Sequence, residues 1–147
     1  MASPDFSGSG VFAAAPSPAV QFAGALAAGA FQASGNPAMT AGIVVQLPIG
    51  GVLVPVTLVA AQVKYTITAS GLLSGQLNGA ILASDLPAIV SAASTGINSG
   101  VTIDPALFTP DVQLYDPVTG AYAPNAANTN PDSLSVGFGF TAVDATF

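Results

Sequence analysis

The chain has 147 residues, enough for one domain with a real core, and only 5% of them are charged, against about 25% in an ordinary soluble domain. It carries seven acids, all Asp, and a single cation, Lys64, for a net charge of −6. That balance excludes a nucleic-acid backbone or an anionic lipid surface as partner, and the lack of His and Cys removes imidazole bases, thiolate nucleophiles, disulfides and zinc sites.

Residues 1–19 are rich in Ser, Pro, Gly and Ala and read as an extended N-terminal arm, with residues 20–147 forming a single β-rich domain. The opening MASPDFSGSG lacks the basic start and apolar core of a signal peptide. Residues 20–35, VQFAGALAAGAFQASG, fit a strand better than a helix, because Gly24 and Gly29 would each cost a helix interior about 1 kcal/mol. Ile43–Val63 is uncharged and as long as a membrane span. Pro48, Gly50, Gly51, Pro55 and many β-branched residues instead predict two strands around a turn.

Within Gly51–Ala69 the apolar residues change parity. Val52, Val54, Val56 and Leu58 are even; Val63, Tyr65 and Ile67 are odd, opposed by Gln62, Lys64 and Thr66. A strand keeps one face by period two, so one extra residue is required, and a bulge or break is expected at Val59–Ala61. Pro55 cannot donate to a ladder and must lie at an edge or irregularity.

Residues 71–82, GLLSGQLNGAIL, form a strand with Leu73, Leu77 and Ile81 on the face of Gly75 and Gly79, and Ser74, Gln76 and Asn78 opposite. The period then becomes helical. Ser84 or Asp85 caps, Pro87 sits in the first turn, and Leu86, Ile89, Val90 and Ala93 share a stripe. One short helix is expected over about 84–95, with Gly96 as its stop. Asp104–Pro105 opens a further helical turn through Phe108. Residues 111–124 read as a strand, a turn at Asp116–Gly120 and a short return. The last strand, from about Ser133, sets Leu134, Val136, Phe138 and Phe140 on one face and Ser133, Ser135, Gly137, Gly139 and Thr141 on the other. The sum is a mainly β chain, an antiparallel sandwich or barrel with one helix.

Chemistry is sparse, and no catalytic residues are expected. Lys64 lies on the polar parity of its strand, as a solvated lysine does. Asp111, Asp116 and Asp132 are the candidates for a metal, calcium, with Asn125, Asn128 and Asn130 as further oxygens. Their spacing is that of turn chemistry rather than of a calcium loop. No phosphate-binding glycine loop is present, since neither GFGF nor GSG leads into a helix.

Leu72–Ile89, LLSGQLNGAILASDLPAI, and Asp132–Phe147, DSLSVGFGFTAVDATF, resemble a family of uncharacterised secreted or lipoprotein domains of myxobacteria and related bacteria. In that family a GxLxGAI strand precedes an Asp-capped helix, and an Asp-rich loop leads into a terminal DSLSVGxxFTAV strand. The resemblance implies an extracellular location and, through the Asp-rich loop, cation binding. Here the loop is DPVTGAYAPNAANTNPD, without the dense acids, and the family's lipoprotein Cys is missing.

Polar faces of Ser, Thr, Gln, Asn and Gly lose water at low cost, because no ion is stripped. The expected role is a non-enzymatic, self-associating structural protein of an extracellular or cell-surface assembly, its partners other copies of itself or a surface matrix. Gly75, Gly79, Gly137 and Gly139 are the candidate self-association residues, because glycine admits a second backbone closely. A virion component, such as a capsid decoration protein, and a calcium-dependent binding module are the alternatives.

Overall fold

A computed structural model describes residues 21–36, 42–67, 73–97 and 103–142. The expected arm, residues 1–19, lies outside them. Among the described residues eight strands and one α-helix follow in order: β1 Gln21–Ala27, β2 Ala30–Asn36, β3 Ile43–Ile49, β4 Val52–Ile67, β5 Leu73–Leu82, α1 Leu86–Ile97, β6 Gln113–Tyr115, β7 Tyr122–Asn125 and β8 Ser133–Ala142. The chain is mainly β and antiparallel, with one α-helix. Its main sheet is open rather than closed into a barrel, in the order β1-β2-β4-β5-β8, with β3 also on β4.

Two hairpins turn on paired left-handed residues. Gly50 and Gly51 have φ of +57° and +88° between β3 and β4, and Ala28 and Gly29 have φ of +49° and +78° between β1 and β2. Two successive positive φ angles match the right-handed twist of the strands they join. Residues 20–35, expected as one strand, are therefore mostly a hairpin; Ala28 carries no turn signal of its own. In a two-residue hairpin the flanking pair, Ile49 and Val52, is hydrogen-bonded. Pro48 and Pro55 then fall at the alternate positions, opposite Leu53 and Gln46, where the missing N–H would have pointed away from the partner.

β4 is the spine. Its first half pairs with β3 from Val52 to Leu58, and its second half pairs with β2 from Gln62 to Thr66. The register with β5 slips between Val59 and Gln62, and Ala60 takes φ +51°. This is the bulge that the parity change demanded.

The sheet buries residues on both faces. On one, Val54, Val56, Leu58 and Ile81 pack with Leu86 and Ala93 of α1, flanked by Leu77, Leu134, Val136 and Phe138. On the other, Val59, Ala80 and Leu114 form a smaller cluster with Val112, Tyr115 and Tyr122 of the β6–β7 hairpin. Helix, sheet and hairpin thus make three layers. The carbonyl of Asp85 accepts from Ile89, opening α1 one residue after the capping pair expected. Asp104 caps a single 3-10 turn, Pro105–Leu107, its carboxylate accepting from the Ala106 amide at 2.9 Å.

Gly96 does not stop the helix, which runs on to Ile97. It is buried against the β3–β4 turn. A Cβ there would collide with the Ile49 carbonyl and the Val52 side chain, and one on Gly50 would collide with the Gly96 carbonyl. Two backbones meet at this point, and close approach is why both residues are glycine. Ala at 96 would gain about 1 kcal/mol of helix propensity. Overpacking against two fixed backbones costs roughly 1–3 kcal/mol, and it wins because neither backbone can move without shifting a core layer. Gly96→Ala should therefore lower the melting temperature, measured by circular dichroism, where an exposed helix glycine would raise it.

Candidate functional site

None of the described aspartates lies within a strand. Asp132 ends the loop before β8 and turns its carboxylate to β6, where it accepts from the amides of Leu114 at 3.0 Å and Tyr115 at 2.8 Å and from the Ser133 hydroxyl at 2.7 Å. Asp111 accepts from the amide and the hydroxyl of Ser135. Asp116 accepts from the amides of Val118 and Thr119 at 2.7 and 2.8 Å, closing the turn before Gly120. Each of the three candidate calcium ligands thus holds its own set of hydrogen bonds. Among the described residues no cluster of three or more Asp, Glu, His or Cys could hold a metal ion.

The asparagines join a second network whose centre is Gln113, a buried polar residue. Its Oε1 accepts from Asn125 Nδ2, Thr129 Oγ1 and the Asn130 amide at 3.3, 3.2 and 3.0 Å. The backbone amide of Gln113 donates to Asn128 Oδ1 at 3.0 Å, and Asn125 Oδ1 accepts from the Ala127 amide. Asn128 sits at φ +48°, a conformation Asn tolerates better than most residues. The loop at 125–130 is therefore gathered around the Gln113 side chain. Tyr115 and Tyr122 close the hairpin edge to face, ring centres 5.8 Å apart.

This hairpin explains the small residues at the start of β8. The segment 111–112 adds to the outer edge of β8, with Ser133 and Val112 exchanging amide bonds at 3.1 Å. Ser133 is fully buried beneath it. Further along, cover ends. Gly137 faces the Asn78 side chain, and a Cβ at Gly139 would meet open space. Gly75 and Gly79 stand on the apolar face, where the chain fills the space itself: Phe140 and Tyr65 crowd Gly75, and Leu58 lies over Gly79. Beside the hairpin a shallow groove is lined by Gln62, Asn78, Ser135, Val112, Leu114 and Ala60, with no ionisable side chain. A second runs over Gly139, between Lys64, Thr66, Ser74 and Gln76. Apart from Lys64, such surfaces offer neutral donors and acceptors.

Gln113 and the serines Ser133 and Ser135 escaped sequence reasoning. The Asp111–Ser135 contact spans 24 residues, and no local pattern announces it. Asp132–Ser133 was visible only as a loop end. No family model, curated protein or solved structure matches this chain. Among the described residues no helix is long and apolar enough to cross a membrane.

Hydrogen bonding holds all three carboxyls below the ordinary aspartate range. For Asp111 the Ser135 hydroxyl acts most, and for Asp116 the Thr119 amide. At Asp132 burial pushes upward, but the Ser133 hydroxyl and the Leu114 and Tyr115 amides together outweigh it. A carboxyl depressed in the folded state adds stability above its unfolded pKa and loses it as pH falls through the folded value. The melting temperature should hold above about pH 5 and fall below about pH 4. Asp132→Ala strands the buried Leu114 amide and should cost roughly 1–3 kcal/mol at pH 7, with a shallower acid decline; thermal melts across pH check both.

Proposed function

We propose that the chain is a non-enzymatic structural protein of an extracellular or cell-surface assembly, whose copies associate through neutral sheet surfaces. One observation carries this reading. Beyond the hairpin, β4, β5 and β8 align in register rows: Gln62, Asn78 and Gly137; Lys64, Gln76 and Gly139; Thr66, Ser74 and Thr141. All but the half-buried Asn78 are exposed, and Lys64 is the one charge among them. Stripping water from such a face costs little, and its glycines leave it low enough for another molecule to lie close.

The β3–β4 hairpin supports the same reading. Val44 and Leu53 there are 57% and 66% exposed, unguarded by charge. Monomers generally protect such strands with lysine or glutamate. An extracellular setting fits the absence of cysteine and a surface of neutral polar groups.

Sedimentation velocity of the purified chain across a concentration series tests the proposal, with association expected in the micromolar range. Raising salt from low to high should leave the association as strong or strengthen it, because screening relieves the −6 charge on each copy. A monomer at every concentration, or an assembly dissolved by salt, would contradict it.

A further inference from the structure

The outer edge of β8 is the most specific feature that the described residues leave unused. Ser133 and Val112 exchange amide bonds across that edge, and the Ser135 amide donates to the Asp111 carboxylate at 2.6 Å. Odd-numbered residues of β8 therefore turn their N–H and C=O outward. The register with β5 is unbroken from Leu82↔Ser133 to Leu73↔Ala142, so the alternation continues through Gly137, Gly139 and Thr141. β8 is the last strand of the sheet, and among the described residues no strand covers this stretch. It carries no charged side chain and no proline.

We infer that this edge is a two-fold interface, on which β8 of a second copy pairs antiparallel with Gly139 opposite its own symmetry mate. The inference rests on the self-association proposed above and names its surface. Three constraints narrow the two-fold centre to Gly139 or a residue beside it, and Gly139 is the centre that sets both phenylalanines opposite aromatic partners. Asp111 occupies Ser135 and so blocks pairing that reaches toward the start of β8. Antiparallel pairs must match outward-facing residues with one another. A strand paired to its own copy must be symmetric about one position.

Centred on Gly139, Gly137 falls opposite Thr141 of the second copy and exchanges both backbone bonds with it. Phe138 then falls opposite Phe140 of that copy in the closer, non-hydrogen-bonded pairs, where aromatic contacts across strands are strongest. Both phenylalanines are half-buried, on the face that α1 covers only in part. The pairing would run two apolar faces into one. The opposite face at the seam is Gly137, Gly139 and Thr141, with nothing bulky to obstruct it.

The test uses the full chain, which has no cysteine of its own. Gly139→Cys and Thr141→Cys are compared under oxidised glutathione, which takes up the two electrons of disulfide formation. In the inferred register the two 139 positions lie about 5.5 Å apart between Cα atoms, within disulfide reach. The two 141 positions are displaced by about 13 Å along the strand. Covalent dimer should form at least about tenfold faster at 139 than at 141. Gly139→Pro removes an amide that the β5 ladder does not use, so it should leave a cooperative melt and weaken dimerisation at least about tenfold. Equal rates at 139 and 141 overturn the interface. So does a folded Gly139→Pro variant that associates as the wild type does; association would then stand on another surface. If Gly139→Pro fails to fold, the cysteine pair decides alone. A wild-type chain that stays monomeric removes both the interface and the reading beneath it.

Discussion

The bulge at Ala60 is the constraint on which the rest of the structure depends. Before it, Val54, Val56 and Leu58 face α1, and after it Val63 and Tyr65 lie in register with Leu77 and Gly75 on that same face. Without an extra residue the second half of β4 would invert. Gln62, Lys64 and Thr66 would turn toward the helix and the apolar residues toward the hairpin. The φ of +51° at Ala60 costs an alanine something, and the packing of both halves of β4 offsets that cost. Val59, the strand neighbour of Leu58, points the other way by simple alternation and founds the smaller cluster with Ala80 and Leu114.

Two consequences follow for the surface. The hairpin needs somewhere to sit, and Val59 and Ala80 supply the only fully apolar footing described on that face. It is tied down by polar bonds instead: Asp132 to β6, Asp111 to β8, and Gln113 to the loop that returns. Three of the chain's acids thereby hold the hairpin and its turns in place. What remains outward, from Gln62 across to Thr141, is neutral except for Lys64, and among the described residues one edge of it is unguarded. A face of that kind suits the association proposed above, and the aromatic pair beside the open edge would give it a register.

Much of the fold was legible because strand parity is a hard rule. The bulge, the helix after Asp85 and the faces of β8 follow from counting by two or by three and four, and the β3–β4 hairpin and the turn at Asp116–Gly120 from their proline and glycine. The β1–β2 hairpin did not, because Ala28 turns without Asn, Asp or Pro to mark it. Gly96 looked like a helix stop and is instead a packing contact, a distinction that depends on which strand lies across it. The hairpin's place on the second face was hidden for the same reason. Asp111 and Ser135 are far apart in sequence, and a serine that bonds a distant carboxylate looks like any solvent-facing serine. The glycines of β5 illustrate the limit best. Their spacing marked close approach, but Phe140, Tyr65 and Leu58 of the same chain are what approach them.

The measurement that bears most directly on this account is the thermal stability of a chain from which Ala60 alone is deleted. If the extra residue keeps the two halves of β4 on one face, its loss should abolish the cooperative transition or lower the melting temperature by more than about 10 °C. A deletion variant that melts cooperatively within about 2 °C of the wild type would show that the halves hold their faces without it, and the layered arrangement argued from that strand would be wrong.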